Sequence, residues 1–323
     1  MHPITTLVAL ALDATWGYPQ WAFAAIGHPV SWIGRLIAWC EQRWNGPHLS
    51  FARRRAYGVW SLTLCLSVAA AVSVSITLLI AHFVPAPFDL LALGVAASPL
   101  IAQRSLNQHV ETVAVALEQG GIAEARGAVS HIVGRDTSVL DEAGVSRAAV
   151  ESLAENFSDG VVTPVFWLLV GGLSGAALYK TINTADSMIG HRSERYAAFG
   201  WGAARLDDVV NLPASRLSAL FICSAAFLLS DTSGRDALRA VRSDANRHRS
   251  PNAGWPEAAM AGALGLRLAG PRIYGGVLVA DHWMGQGRAD AGAADIRRAL
   301  HVYRTACLLQ AAAVAAIALM LCW

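Results

Sequence analysis

Glu151, Glu155 and Asp159 recur at intervals of four, so on a helix all three carboxylates project from one face, with Asn156 beside them. Like charges stacked this way repel, by about a few tenths of a kcal/mol per adjacent pair in water and more when desolvated. Something positive must offset them, either a divalent cation or arginines brought in from elsewhere. Hard oxygen ligands beside an amide suit Mg²⁺, which keeps several waters and bridges carboxylates to phosphates. The competing reading is a solvated acidic helix face. Against it stands the immediate continuation, Gly160 and then the apolar run Val161 to Val170, which ends the carboxylates at a membrane surface.

Lys180 is the only lysine in a chain with 25 lysines and arginines together. A compact ammonium suits phosphate as a point charge, whereas a guanidinium forks across an anion in a fixed plane. Asn183 and Asp186 follow at i, i+3, a spacing that makes an oxygen-rich corner for a metal or polar substrate. The bland readings are an interfacial snorkel for Lys180 and a helix N-cap for Asp186. Arg192, Arg195, Arg205, Asp207 and Asp208 come directly after, and alternating acids and bases around small residues fit a polyanion site.

Charge is expensive at membrane depth, and these residues lie among apolar runs. Hydrophobic residues make up 54% of the chain and charged ones 15%, with a mean hydropathy of +0.41, which points to an integral membrane protein. The clearest span is Tyr57 to Val84. Pro85-Ala86-Pro87 breaks it, and Phe88 to Ala102 returns as the second arm of a hairpin. Thr305 to Trp323 and the shorter Ala214 to Ser230 are further spans, and Ile4 to Leu12 is a membrane segment without the basic flank of a cleaved signal. The expectation is an all-α polytopic membrane protein with roughly five to six membrane segments, some broken or re-entrant, plus helical cytoplasmic segments. It would be a single domain over 1–323: an N-terminal segment and loop (1–56), a transmembrane hairpin (57–102), a polar catalytic region (103–213) with a broken segment at 161–179, a membrane segment and arginine-rich loop (214–304) and a C-terminal transmembrane helix (305–323).

Arginines at Arg53-Arg54-Arg55 and from Arg235 to Arg304 mark cytoplasmic loops. A full crossing by Val161 to Tyr179 would then place Lys180 to Leu212 on the far side from Glu151. Gly171-Gly172-Leu173-Ser174-Gly175 interrupts that segment, and broken helices are tolerated at membrane depth where they line a cavity. A re-entrant or short-helix arrangement is therefore expected. A net charge of +2 implies no nucleic-acid role, and the five cysteines have no metal-ligand spacing and read as small hydrophobes. There is no Walker-type loop, and the glycines at Gly262 and Gly265 follow no strand, so they are no dinucleotide fingerprint.

The runs Gly134-Arg135-Asp136-Thr137, Glu151 to Gly160, Asn183 to Gly190, Ala204 to Asp208 and Ser250-Pro251-Asn252-Ala253-Gly254-Trp255 resemble the adenosylcobinamide-phosphate synthase family of cobalamin biosynthesis, as do His28-Pro29-Val30 and Gly34-Arg35. The resemblance covers nearly the whole chain. It departs at Tyr18, where the family usually shows aspartate, and at Ser174, where it usually shows proline. It implies a ligase that joins the free propionate of adenosylcobyric acid to (R)-1-aminopropan-2-ol phosphate, or a related aminoalcohol, with ATP as co-substrate. On that reading Glu151, Glu155, Asp159 and Asp186 hold Mg²⁺, with Lys180 in the catalytic set. Arg135, Lys180, Arg192 and Arg205 take phosphates, with Asn156 and Asn183 in the same substrate- and phosphate-binding set. Asp207 and Asp208 form a second metal corner or orient the arginines, and Ser250, Asn252 and Trp255 hold the corrin side chains or the aminoalcohol. The implied location is the inner (cytoplasmic) membrane, with the lipid bilayer as surroundings and either a homo-oligomer or a complex with other late-pathway membrane enzymes.

Three other classes fit parts of the pattern. An intramembrane prenyltransferase would show aspartate repeats in two similar halves, and none are present. A transporter would have shorter polar runs and an inverted repeat. A non-enzymatic sensor of the same family, like the membrane protein linked to β-lactamase induction, would lack much of the Glu151 to Asp208 constellation.

Overall fold

The computed structural model describes residues 1–134, 136–270, 272–274, 277–279 and 282–322. Arg135 lies outside the described residues. The chain forms helices α1 (Pro3–Thr15), α2 (Gln20–Ile26), α3 (Pro29–Trp44), α4 (Phe51–Phe83), α5 (Phe88–Ala97), α6 (Gln103–Val115), α7 (Gly121–Ser130), α8 (Glu142–Phe157), α9 (Thr163–Ile189), α10 (Trp201–Val210), α11 (Leu212–Leu228), α12 (Gly234–Asp244), α13 (Gly254–Leu264) and α14 (Ala293–Cys322). The all-α expectation holds except for two antiparallel ribbons. β1 (Leu268–Ala269) pairs with β4 (Trp283–Met284), with Leu268 opposite Met284, and β2 (Arg272–Tyr274) pairs with β3 (Val277–Val279). Two compact units result: residues 1–102, 163–211 and 314–323 in the first, and 103–162 with 212–313 in the second.

The sequence overcounts the spans. Three helical stretches are long and apolar enough to cross a membrane, Phe51–Phe83, Glu142–Ile189 and Ala293–Leu321, or up to four if Trp201–Val210 and Leu212–Leu228 make one span together. The difference is length. Pro85-Ala86-Pro87 does end α4, but the return arm α5 is only 10 residues, and α1 only 13. At 1.5 Å per residue these reach about 15 and about 20 Å, short of the ~30 Å hydrocarbon core. Apolar composition alone does not show where a chain turns.

In the first unit, α4 and α9 run side by side in opposite senses. Leu62 and Cys65 share a core with Ala185 and Ile189, while further along Ser73 donates a hydrogen bond to Ser174 Oγ at 3.1 Å. Ser174, one of the departures from the family pattern, thus pairs the two helices. The glycine-rich break appears as expected. Gly172 has φ +61°, outside the helical region, and a Cβ at Gly175 would stand 2.3 Å from the Trp167 carbonyl oxygen.

The loop joining α9 to α10 is held from several sides. A Cβ at Gly200 would lie 1.6 Å from the Ile189 carbonyl oxygen, and one at Gly58 1.8 Å from that of Phe199, so backbone meets backbone at both points. Arg195 forks onto the buried Glu41 of α3 with Nε–Oε1 2.8 Å and Nη2–Oε2 2.9 Å. Asn45 donates to the Arg195 carbonyl and to Glu41 Oε1, Arg54 also donates to the Arg195 carbonyl, and the Arg55 guanidinium lies 3.6 Å from the Trp201 ring centroid. Bidentate geometry and partial desolvation make this pair stronger than an ordinary surface ion pair.

Gly200→Ala overpacks backbone against backbone and should cost about 1–3 kcal/mol, read as a fall in unfolding temperature in detergent. Gly127→Ala, mid-helix in α7 with no atom within 4 Å of its Cβ, should be neutral or stabilising by up to about 1 kcal/mol; equal effects of the two would contradict the packing described. Hydrogen bonds from Arg195 are the main reason the Glu41 carboxyl is held below its ordinary pKa. A depressed carboxyl stabilises the fold above its unfolded pKa of about 4.3, and that contribution is lost as pH falls through the folded value. Arg195→Met should therefore lower stability at neutral pH and flatten its dependence on pH below about 4.3; an unchanged acid limb would show that the pair contributes nothing.

Candidate functional site

The polar corner of the first unit is built from α9 and α10 against the N-terminus of α3. Lys180, Asn183 and Asp186 follow at i, i+3, i+6 along one side of α9. Lys180 is 9% exposed, too buried for a side chain snorkelling to water, and Asp186 lies inside α9, so the N-cap reading is excluded. Gly190 closes the motif because a Cβ there would meet Asp186 Oδ1 at 1.9 Å. Since α9 runs antiparallel to α4, Lys180 falls between the levels of Cys65 and Ser73, beside the middle of the apolar α4. The charge is buried beside the middle of a helix long and apolar enough to cross a membrane.

From α10, Asp207 meets this row. The amides of Asn183 and Asn211 lie beside its carboxyl, and Asp186 and Asp208 are close enough to act on it electrostatically. Asp207 is 8% exposed, and its Oδ1 is buried with no hydrogen-bond partner among the described residues. An unsatisfied buried carboxylate oxygen is costly, and a water, a cation or a donor from a ligand would each satisfy it. Asn211, fully buried, ties the two helices together: it accepts from the Tyr179 hydroxyl at 3.0 Å and donates to the Asp207 main-chain carbonyl at 3.1 Å. Asp208 pairs with Arg205 (Nη1–Oδ2 3.5 Å) and feels Arg192, and both arginines are exposed.

His28 completes the corner. Its Nδ1 accepts from the Val30 main-chain N–H at 3.2 Å and caps α3, and the Tyr18 ring packs edge-on at 4.6 Å. Burial, reinforced by the Lys180 ammonium nearby, holds the imidazole below its ordinary pKa, so at neutral pH it is uncharged with its proton on Nε2. Tyr18 donates to the Gly27 carbonyl at 2.7 Å. The residue that stands where the family usually shows aspartate is therefore a brace for the His28 turn.

The acidic row of the second unit is less uniform than its spacing implies. Glu151 is buried, and its Oε1 accepts from the Ala269 main-chain N–H at 2.8 Å, which makes it an anchor for β1. Glu155 and Asn156 are exposed. Asp159 falls in a π-helical turn, Ser158–Val162, whose wider ring shifts it off the line of the two glutamates. In the Ser250–Trp255 motif the polar atoms serve the fold. Ser250 Oγ accepts from the Asn252 and Ala253 N–H groups, and Asn252 Oδ1 accepts from Ser215 Oγ and Arg216 Nη1, both at 3.2 Å. Trp255 carries the Arg216 guanidinium 4.5 Å from its ring centroid. The motif thus aims Arg216, and beside it His248 Nε2 lies 3.8 Å from the buried Glu257 Oε1.

His28, Asn211, Tyr179, Arg216 and the His248–Glu257 pair are not among the candidates that spacing singles out. Each is a lone polar residue in an apolar or loop context, and only a buried polar residue's need for a partner could have flagged it. Among the described residues no group of three or more His, Cys, Asp or Glu side chains is arranged to hold a metal ion alone. Mg²⁺ does not require one, since it commonly uses one or two carboxylates together with water and substrate phosphates. Asp186 and Asp207, with the unsatisfied Oδ1, fit that partial ligand set.

Residues 6–303 match the CobD/Cbib protein family. A cobalamin biosynthesis protein CobD from a Sinorhizobium species is 49% identical over 314 residues, 97% of each chain. The protein of the same name from Rhizobium meliloti is 47% identical over 97% of this chain and 96% of its own, and that of Rhodobacter capsulatus 47% identical over 93% and 92%. No solved structure matches the chain significantly. Taken with the motifs and the buried polar corner they build, these likenesses place the chain in the CobD/Cbib family of cobalamin biosynthesis proteins.

Proposed function

We propose that the protein is an adenosylcobinamide-phosphate synthase of the cytoplasmic membrane. It would join the propionate of adenosylcobyric acid to (R)-1-aminopropan-2-ol phosphate, or a related aminoalcohol, in an amide bond while ATP is consumed. The observation that carries this reading is the corner where Asn183 and Asp186 meet the buried Asp207 with its unpartnered Oδ1, the buried Lys180 lying on the same side of α9, in a chain whose relatives bear a cobalamin biosynthesis name.

A carboxylate is a poor acyl donor. Transfer of the γ-phosphoryl group from ATP to the propionate oxygen gives an acylphosphate and ADP; the amine then attacks the acyl carbon, loses a proton, and inorganic phosphate leaves. The first step spreads negative charge over the phosphoryl oxygens, which cationic groups held away from water stabilise strongly. Lys180 supplies a fixed positive charge with little competing water. Mg²⁺, if held by Asp186 and Asp207, would neutralise phosphate charge. The exposed Arg192 and Arg205 offer bidentate contacts to phosphates, and neutral His28 can donate from Nε2. In the second unit Glu155, Asn156 and Asp159 form a polar set of their own, in which either carboxylate is chemically suited to accept a proton. Glu151, Ser250, Asn252 and Trp255 act by positioning: the first anchors β1, and the others aim Arg216.

The reading is tested by corrinoid amidation with purified protein in detergent, ATP and aminoalcohol phosphate being supplied or withheld. Lys180→Met should raise the KM for a phosphorylated substrate and also lower kcat, since the charge serves both binding and transition state. Asp207→Asn should fold as the wild type does, because it removes a buried charge, yet lose on the order of 100-fold in turnover. A folded Asp207→Asn variant with normal turnover would remove the corner from the mechanism.

A further inference from the structure

A second feature of the first unit is a cavity of about 360 Å³ walled by α3, α4, α5 and α9 and rimmed by the α1–α2 turn. Its size is that of a small-molecule site, where ~300–1,000 Å³ is usual, but its chemistry differs from that of the polar corner. The polar side chains on its wall are already committed: Tyr18 to the Gly27 carbonyl, Trp32 Nε1 to the Ile26 carbonyl, and Ser73 to Ala70 and Ser174. The Cys65 thiol faces that of Cys40. Among the described residues the few polar side chains on its wall are thus already hydrogen-bonded, and the rest of the wall is apolar, which suits a hydrocarbon occupant.

What surrounds the cavity indicates its source. Val68, Val72 and Ile76 line it from one face of α4, and the same residues are 41%, 52% and 36% exposed, so the cavity opens sideways from that helix. They lie in the central part of a 33-residue helix that carries no acidic residue and, from Tyr57 on, no basic residue but His82. At that depth the medium outside is lipid. An open apolar cavity facing hydrocarbon fills with hydrocarbon, because leaving it empty forfeits dispersion contacts on every wall.

We propose that this cavity is a built-in lipid site that takes one acyl chain of a phospholipid from the surrounding bilayer. The chain fills the space between α3, α4 and α9, the helices that carry Lys180 and pin the 190–199 loop, so a bound lipid completes the packing behind the polar corner. The site is separate from the ligation proposed above, and its test does not depend on activity.

The test reconstitutes the full chain in vesicles of phosphatidylethanolamine and phosphatidylglycerol with a trace of phospholipid bearing a diazirine in its acyl chain, and maps photocrosslinks by mass spectrometry. Wild type should crosslink at Trp32 and Val72 well above Leu79, which is equally bare on α4 but does not line this cavity. Ala69→Trp, which fills the cavity, should lose the Trp32 and Val72 crosslinks and keep that at Leu79. Ala71→Trp, two residues away on the exposed side, should keep all three. Crosslinking at Trp32 and Val72 no stronger than at Leu79 in wild type would overturn the proposal, as would a monodisperse Ala69→Trp variant with an unchanged pattern. The wild-type comparison decides even if Ala69→Trp does not fold.

Discussion

A carboxylate oxygen buried without a partner, Asp207 Oδ1, sets the terms for the first unit. Holding it in place takes much of the surrounding structure. Asn211 and Tyr179 lock α10 to α9, and the 190–199 loop reaches the short path between them only because glycine stands at positions 190 and 200. The Glu41–Arg195 fork and the Arg55–Trp201 stack then fasten that loop to α3 and α4. Each of these contacts is far cheaper to keep than an unpaired charge, and together they let Lys180 and three aspartates stay at a depth where isolated charges would not.

The sequence was most informative where a residue's cost was visible in its neighbours. A lone lysine followed by Asn183, Asp186, Asp207 and Asp208 marked the polar corner, and the structure brings Asn183 and the three aspartates into one neighbourhood, with Lys180 near His28. The glycine break was legible for the same reason, since Gly171-Gly172 in an apolar run has no packing purpose on a straight helix, and Gly172 does leave the helical region. The proline-bounded end of α4 was equally clear. Spacing misled where it assumed uninterrupted helix: Asp159 sits within a π-turn, and Glu151 turns out to be capped by the backbone of β1. Membrane segments were overcounted because α1 and α5 are apolar but short, and hydropathy does not report where a chain stops.

In the second unit polar motifs organise the protein before they meet any substrate. Ser250 and Asn252 are spent on a tight turn and on Arg216, so their contribution is to fix a guanidinium on an indole face. Such residues look like ligands in a sequence because both ligands and positioning residues are polar in an apolar context. Only the hydrogen-bond partners separate them. The same logic raises His248 and Glu257, a close buried pair that no spacing rule singles out.

The central claim is that the corrinoid carboxylate is activated by phosphoryl transfer before the amine arrives, which is the step that a buried ammonium and a carboxylate corner open to Mg²⁺ are suited to assist. Oxygen-18 tests it directly. Adenosylcobyric acid labelled in its free propionate would be turned over with ATP and the aminoalcohol phosphate, and the released inorganic phosphate analysed. The account predicts one labelled oxygen in each phosphate released with ADP. Amide formation with unlabelled inorganic phosphate, or with the label in AMP, would contradict it.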